Sequence, residues 1–266
     1  KPLSREDKFM TQDKKRQYLI TELLKERPEY ADISIPKDET EQRKLLRALF
    51  NVRLPLPIGD DFLRVQDEYL QSEIAQKGIT SIDDLEPVKP DIYLRQGDIT
   101  TLKCDAIVNA ANSQMLGCFC PNHGCIDNAI HTFSGVQLRL KCVEIMQKQG
   151  ESEETGKVKI TPAYNLPCKY ILHTVGPIVT GKLTDRDCEL LRSCYRSCLA
   201  LADEYKLNSV AFCCISTGEF HFPNNKAAKI AIETVSEYKK LTNSKIKVIF
   251  NVFKNSDYEI YRELLG

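Results

Sequence analysis

Short apolar segments alternate with longer amphipathic segments from about residue 91 to the end of this 266-residue chain. Short apolar runs are typical of buried strands, and longer runs with apolar residues at helical spacing are typical of helices. This alternation predicts an α/β sandwich, in which a sheet is covered by helices on both faces. The predicted strands are Ile92–Gln96, Ala106–Asn109, Val158–Thr161, Tyr170–Val175, Ser209–Ile215 and Lys245–Asn251, and the predicted helices are Ile126–Gln149, Asp185–Tyr205, Asn224–Leu241 and Ser256–Leu264.

Residues 1–88 have a different pattern, in which helical segments are separated by prolines. The predicted helices are Thr11–Arg27, Glu39–Val52 and one that begins at a cap at Asp60 or Asp61 and stops at Gly78. Each helix has an apolar face, and we find no chemical motif among them. We therefore expect a helical N-terminal extension, 1–88, that docks on a following domain, 89–266.

Composition argues against several classes of function. Lys+Arg and Asp+Glu are both 37, so the net charge is zero, and we expect no surface for nucleic acid or an anionic membrane. No apolar run approaches the roughly 20 residues that span a bilayer, and none follows Lys1–Arg5, so we expect no membrane helix and no signal peptide. Most of the eleven cysteines occur in apolar contexts, which predicts buried, reduced thiols and a cytoplasmic protein.

Three cysteines and two of the four histidines fall within residues 117–131. Cys118, His123 and Cys125 form the pattern C-x4-H-x-C on one loop, called the Cys/His loop below. Thiolate and imidazole are ligands that zinc prefers. Three ligands without a second cluster predict a zinc ion whose fourth position is open to substrate. On residue types alone, loop thiols without a metal are an equally good interpretation. Cys120 is close enough in sequence to compete as a ligand.

Three short polar motifs each follow a predicted strand; they are Gly97–Thr100, Asn109–Ser113 and Ser216–Pro223. Ligands of α/β sheets bind at the carboxyl ends of strands, so we expect the three motifs to gather at one edge, near the Cys/His loop. A Ser-Thr-Gly turn that leads into a helix can offer backbone N–H groups to a phosphate. An Asp after a strand can accept a hydrogen bond from an adenine amino group or a ribose hydroxyl. Each motif alone also fits a turn or a helix cap.

Five motifs together resemble, in order and spacing, those of the macrodomains, a family that binds ADP-ribose. These motifs are Gly97–Thr100, Val108–Asn112, Cys125–His131, His173–Pro177 and Ile215–Gly218. The resemblance covers residues 91–266 and implies a three-layer α/β/α macrodomain with a central mixed sheet. Other macrodomains have a glycine run where this chain has Cys118–Cys125. That segment is similar to the zinc-dependent macrodomains of bacteria and fungi, which also carry a helical N-terminal extension.

The resemblance implies a zinc-dependent protein-ADP-ribose hydrolase of the sirtuin-linked class, with Zn²⁺ as cofactor. Its substrate would be mono-ADP-ribose on a carboxylate side chain of a glycine-cleavage-H-like lipoyl carrier protein, modified by a sirtuin-type ADP-ribosyltransferase. Zinc with two thiolates and one imidazole has a formal charge near zero, so we expect it to hold a substrate oxygen rather than supply hydroxide. Two alternatives stay open: an ADP-ribose reader without catalysis, and a structural zinc domain, which a fourth protein ligand would favour.

The resemblance also implies roles for single residues. Asp98, with the Ile99 backbone beside it, would take the adenine amino group, and Phe253 would lie against the adenine ring. Asn112 would orient the distal ribose and Asp127 would position or deprotonate water, which makes these two the catalytic candidates. The implied ADP-ribose contacts are Asp98, Ile99, Asn112, Cys118, Ile126, Asp127, Ser216, Thr217, Gly218, Glu219, Phe220 and Phe253, and the metal ligands are Cys118, His123 and Cys125.

Ser216–Phe220 would surround the diphosphate. Many relatives have an apolar residue, an aromatic residue and Gly where this chain has Glu219–His221, so the details of this loop are specific to the chain. His221 is a possible neighbour of the site. His131 and His173 lie in helix and strand segments, and we predict them to be hydrogen-bonded core residues rather than ligands.

Overall fold

The computed structural model describes residues 10–266, so the expectation about Lys1–Arg5 concerns residues outside this range. The α-helices are α1 Gln12–Lys25, α2 Glu39–Val52, α3 Asp60–Lys77, α4 Ile126–Ser134, α5 Val136–Gln149, α6 Asp185–Glu204, α7 Asn224–Thr242 and α8 Asn255–Leu265. The strands are β1 Thr80–Ser81, β2 Ile92–Gln96, β3 Leu102–Lys103, β4 Ala106–Ala111, β5 Val158–Pro162, β6 Tyr170–Val175, β7 Ser209–Phe212 and β8 Lys247–Val252.

The main sheet has the strand order β2-β8-β7-β4-β6-β5. Neighbouring strands are parallel except for β5, which is antiparallel to β6, so the predicted mixed sheet is confirmed. Since β2, β8, β7, β4 and β6 all run in one direction, the loops that follow them meet at one edge of the sheet. That edge is where the predicted polar motifs are placed.

The helices form three groups around this sheet. Helices α6, α7 and α8 pack against one another, α4 and α5 form a second group, and α1, α2 and α3 form a third. The third group contacts the second through α2 and α3, which touch α4, and its hydrophobic cluster includes Phe133 and Val136 of the α/β domain. The predicted α/β/α fold with a helical N-terminal extension is confirmed, and the boundary at residue 88 stays a prediction.

The single helix predicted over Ile126–Gln149 is wrong, because Gly135 divides it into α4 and α5. Gly135 has φ +103°, and a side-chain carbon there would lie 2.6 Å from Gln137 Oε1 and 2.7 Å from Gln66 Nε2. Glycine is therefore required at this position. Gln66, on α3 of the extension, accepts a hydrogen bond from the Val136 backbone N–H at 2.9 Å. The first backbone N–H of α5 thus finds its hydrogen-bond acceptor on a side chain 70 residues away in the chain.

Two other predicted element ends differ from the structure. The N-cap of α3 is Gly59, without a side-chain cap bond, and Asp60 and Asp61 occupy the first turn instead. A carboxylate in the first turn still interacts favourably with the helix dipole. The two acidic residues therefore still mark the start of the helix, although neither of them is the N-cap. Strand β7 ends at Phe212 rather than Ile215 because the chain leaves the sheet and turns toward the polar motif that follows.

No helix within residues 10–266 is long and apolar enough to cross a bilayer. All eleven cysteines are free thiols, and most of them are buried, as predicted from their apolar sequence contexts. The exceptions are Cys214 and the three cysteines of the Cys/His loop. The loop therefore supplies most of the thiols that a metal ion from solvent can reach.

Candidate active site

Three thiol and imidazole groups come together on the loop between β4 and α4. The ligand atoms of Cys118, His123 and Cys125 all lie within 4.8 Å of one another, and all three residues are half-buried. Cys118 Sγ is 3.7 Å from His123 Nδ1. In a tetrahedral zinc site, with bonds of about 2.3 Å to sulfur and about 2.0 Å to nitrogen, two such ligands lie about 3.5 Å apart. By donor type and by spacing, these residues fit a zinc ion.

Among the described residues, no fourth His, Cys, Asp or Glu joins this cluster. The exposed Cys120 lies on the same loop but outside the cluster. A second group of possible ligands, His131, Cys142 and His173, is fully buried. Both ring nitrogens of His173 are hydrogen-bonded to neighbouring side chains, at 2.9 and 3.1 Å, so that group belongs to the core.

Helix α4 begins at one of the three thiols. Cys125 is its N-cap, and the Asn128 backbone N–H points at Cys125 Sγ at 3.4 Å. Burial raises the pKa of Cys125 to about 12. A coordinated thiol is deprotonated, so zinc binding by Cys125 would release a proton.

Asp127 lies in the first turn of the same helix and is buried. Its Oδ1 accepts a hydrogen bond from Asn109 Nδ2 at 2.8 Å and lies 3.6 Å from His131 Nε2. Burial raises the pKa of Asp127 to about 6, although the Asn109 bond and the charge of Arg139 act in the opposite direction. Neither ring nitrogen of His131 has a hydrogen-bond partner among the described residues. The prediction of a hydrogen-bonded core histidine is therefore wrong for His131 and confirmed for His173.

Asn112 follows β4 and closes the start of the Cys/His loop. Its Nδ2 donates to the Gly117 carbonyl at 3.2 Å, and its Oδ1 accepts from the Gln114 backbone N–H at 3.0 Å. Gly117 has φ +84°, and a side-chain carbon there would lie 2.7 Å from the ring of His131. The loop therefore passes directly over the helix that carries Asp127, which brings the two catalytic candidates to the same part of the molecule.

Asp98 follows β2 at the other end of the site. Its carboxylate accepts hydrogen bonds from the Thr100 N–H at 2.9 Å and the Thr100 hydroxyl at 2.6 Å, and it pairs with Lys77 Nζ at 3.1 Å. Burial alone would raise the pKa of Asp98, but the Thr100 bonds and the Lys77 charge outweigh it, and the pKa lies below its ordinary value. The carboxylate is therefore an ionised, partly exposed acceptor. Ile99, beside it, is buried.

The loop that follows β7 approaches the Cys/His loop. Glu219 Oε1 is 3.5 Å from His123 Nε2, on the opposite side of the ring from the nitrogen that faces Cys118. Ser216 has φ +65°, and its buried hydroxyl packs so closely on Gly176 that a side-chain carbon at Gly176 would lie 2.0 Å from it. The two loops therefore form adjacent parts of one surface, as the strand-end motifs predicted.

The remaining predicted contacts lie on the loops and helix start at this same edge. Thr217 and Phe220 are half-buried and Gly218 is exposed on the loop after β7. Phe253, directly after β8, is 74% exposed, so its ring is available for stacking. Ile126 is the first residue of α4 and is half-buried.

Side chains of the extension also reach this region, namely Arg47 and Asn51 on α2 and Lys77 at the end of α3. Sequence patterns did not single them out, because each contact joins residues that are far apart in the chain. The expectation that the extension docks on the α/β domain was the one signal that pointed to them.

Comparison with known proteins identifies the family to which this fold belongs. The Macro domain family matches residues 108–231. The chain is 58% identical over 261 residues to a protein-ADP-ribose hydrolase of Treponema medium. The alignment covers 97% of this chain and 100% of the relative. It is 52% identical over 249 residues to a protein-ADP-ribose hydrolase of Staphylococcus aureus (strain MSSA476), with 93% of each chain covered.

Solved structures give the same assignment. A mutant Oceanobacillus iheyensis macrodomain with ADPR is 37% identical, covers 68% of this chain and 95% of its own, and superposes with a TM-score of 0.62. The Trypanosoma brucei macrodomain in complex with ADP-ribose is 28% identical, covers 87% and 97%, and has a TM-score of 0.65. The chain therefore belongs to the macrodomain family, and within it to the protein-ADP-ribose hydrolases.

Proposed function

We propose that this hydrolase removes mono-ADP-ribose from a modified protein side chain and that it requires a zinc ion held by Cys118, His123 and Cys125. The observation that carries the proposal is the placement of Asp127 two residues after Cys125, in the first turn of α4. A zinc ion on this loop and a buried carboxylate with a raised pKa would then act together at the start of α4. Perturbed carboxylates of this kind are typical of catalytic sites.

When bound, zinc would supply Lewis acidity toward a substrate oxygen. Residues of the chain itself bind and orient the substrate and handle the proton of the attacking water. Asp98 binds the adenine amino group at one end, and the loop Ser216–Phe220 binds the diphosphate in the middle. Asn112 orients the distal ribose, and Asp127 positions or deprotonates the attacking water.

We infer that the modified group is a carboxylate on a glycine-cleavage-H-like lipoyl carrier protein, which a sirtuin-type ADP-ribosyltransferase modifies in the cytoplasm. Support comes from the resemblance of Cys118–Cys125 and of the helical extension to the zinc-dependent macrodomains. The names of the Treponema and Staphylococcus relatives support a protein-linked ADP-ribose as the substrate.

The zinc ligands can be tested one at a time. His123→Ala should bind markedly less zinc than the wild-type protein, which should bind about one ion per chain by elemental analysis. Cys120→Ser is the matched control, since it removes a thiol from the same loop but outside the cluster, and it should keep the full zinc content. Wild-type zinc content in His123→Ala would exclude His123 as a ligand.

The adenine end can be tested by titration calorimetry with ADP-ribose. Asp98→Ala should weaken binding by about 1.5–3 kcal/mol, because it removes a charged acceptor for a hydrogen bond from the adenine amino group. Glu86→Ala, which removes an exposed carboxylate from the segment before β2, should leave the affinity unchanged. Equal affinities for the wild-type protein and Asp98→Ala would place the adenine elsewhere.

A further inference from the structure

The Cys/His loop has little regular structure of its own. Between β4 and α4 its residues form only turns and bends, and the Cys120–Cys125 segment has one backbone hydrogen bond of its own, from His123 N to the Cys120 carbonyl at 3.3 Å. A tetrahedral metal site needs its ligands fixed closely in space. The constraint must therefore come from side chains outside the segment.

We propose that Arg47, on α2 of the N-terminal extension, is a positioning residue for the metal site. Its Nε and one terminal nitrogen both donate to Asn128 Oδ1, at 3.1 and 2.9 Å. The same terminal nitrogen donates to the His123 carbonyl at 3.1 Å. One guanidinium thus binds the backbone of a metal ligand and the side chain at the start of α4. This inference rests on the proposed zinc site.

Asn128 carries the effect of Arg47 to the rest of the loop. It is fully buried, its Nδ2 donates to the Cys120 carbonyl at 2.9 Å, and its backbone N–H points at Cys125 Sγ at 3.4 Å. The Arg47–Asn128 pair therefore contacts the loop at residues 120, 123 and 125. Those three contacts span the segment that carries the second and third candidate ligands.

A second residue of α2 supports the same loop. Asn51 is buried, its Oδ1 accepts from the Asn122 backbone N–H at 2.9 Å, and its Nδ2 donates to the Thr132 hydroxyl at 3.0 Å. Residues four apart lie on one face of a helix, so Arg47 and Asn51 act together. One face of α2 is thus matched to this loop.

Arg47 also brings a permanent charge. It forms no ion pair with a carboxylate anywhere in residues 10–266, and a guanidinium keeps its proton at any physiological pH. A zinc ion with two thiolates and one neutral imidazole would carry no net charge, so the guanidinium would add positive potential beside it.

Zinc affinity of the full chain, measured by competition with a chromophoric chelator, tests this role. Arg47→Met should lower the affinity about ten- to a hundredfold, the usual range when a group that orients a metal ligand is lost. Arg47→Lys keeps the charge but loses the paired N–H donors of the guanidinium. Its zinc affinity should lie between those of Arg47→Met and the wild-type protein. Lys44→Met removes an exposed charge from the same helix and should bind zinc with the same affinity as the wild-type protein.

Two further measurements separate positioning from folding. The Co²⁺-loaded wild-type protein should show thiolate-to-metal absorption, and Arg47→Met should shift or weaken its bands, with Arg47→Lys restoring part of the signal. Circular dichroism of the metal-free proteins checks the fold. If Arg47→Met does not fold, Arg47→Lys and Asn51→Ala carry the test, and both should still reduce zinc affinity.

Two outcomes would overturn the inference, and they differ from each other. A wild-type protein that binds no zinc removes the metal from the proposed function and this role with it. Zinc binding in the wild-type protein, with the same affinity and cobalt spectrum in folded Arg47→Met, refutes the role of Arg47 alone and leaves the metal site in place.

Discussion

Replacing Cys125 by serine should slow the release of ADP-ribose from an ADP-ribosylated protein by about a hundredfold or more. Serine keeps an oxygen that can cap α4 at the Asn128 N–H, so the helix start survives while the soft thiolate is lost. Binding of free ADP-ribose should fall much less, because Asp98 and the Ser216–Phe220 loop are untouched. A loss confined to turnover would show that the thiol serves the chemistry.

The same logic applies to Asp127. Asp127→Asn keeps the size of the side chain and can still hydrogen-bond to Asn109, but it cannot accept a proton, so turnover should fall by a similar factor, about a hundredfold. Single-turnover release of ADP-ribose from an ADP-ribosylated protein, with and without a chelator, is the decisive assay. Cys120→Ser serves as the control from the same loop. Full activity in a folded, zinc-free enzyme would show that the metal is not needed for catalysis and leave Asp127 to act without it.

Replacing Arg139 by methionine should destabilise the protein by about 3 kcal/mol or more. Arg139 is buried, and its guanidinium donates to the Leu116 carbonyl at 2.7 Å and to the carbonyls of Phe50 and Arg53. Methionine fills much of the same space, including the contact with the Phe119 ring, but offers no donor. Three largely desolvated carbonyls would then lose a partner, and each such loss costs about 1–3 kcal/mol.

Chemical denaturation of the metal-free protein measures this effect, with a chelator present so that zinc affinity does not contribute. Lys141→Met is the control on α5; it removes an exposed charge paired with Glu144 and should unfold at the same denaturant concentration as the wild-type protein. Because Arg139 joins the end of α2 to the Cys/His loop, its loss should also make unfolding less cooperative. A midpoint for Arg139→Met equal to that of the wild-type protein would show that water replaces the lost donor without cost.

The sequence predicted those features that local patterns encode. The strands were found because buried parallel strands appear as short apolar runs, and the meeting of Asp98, Asn112 and Ser216 at one edge followed from the direction of those strands. The three candidate ligands of the Cys/His loop were predicted from residue type and spacing, and the structure brings their ligand atoms within 4.8 Å of one another. The break at Gly135 was not, since the apolar period continues across it and the residue that requires glycine there, Gln66, is on another helix.

Contacts between distant parts of the chain could not be predicted. Arg47 reaches His123 and Asn128 across more than 70 residues, and no periodicity or motif marks that pairing. The lack of a hydrogen-bond partner for the His131 ring within residues 10–266 was also missed, because an apolar neighbourhood in sequence says nothing about which nitrogen finds an acceptor. In both cases the missing information is the relative position of two packed elements.

The docking of the extension also decides how this protein can be cut into parts. A fragment restricted to the matched family region, residues 108–231, would lack Asp98 and Phe253. One that begins at residue 89 would keep both but leave Asp98 without Lys77 and the Cys/His loop without Arg47 and Asn51. For a sensor of ADP-ribosylated proteins, or for grafting this activity onto another chain, the transplanted unit must therefore include α2 and α3 of the extension as well as the α/β domain.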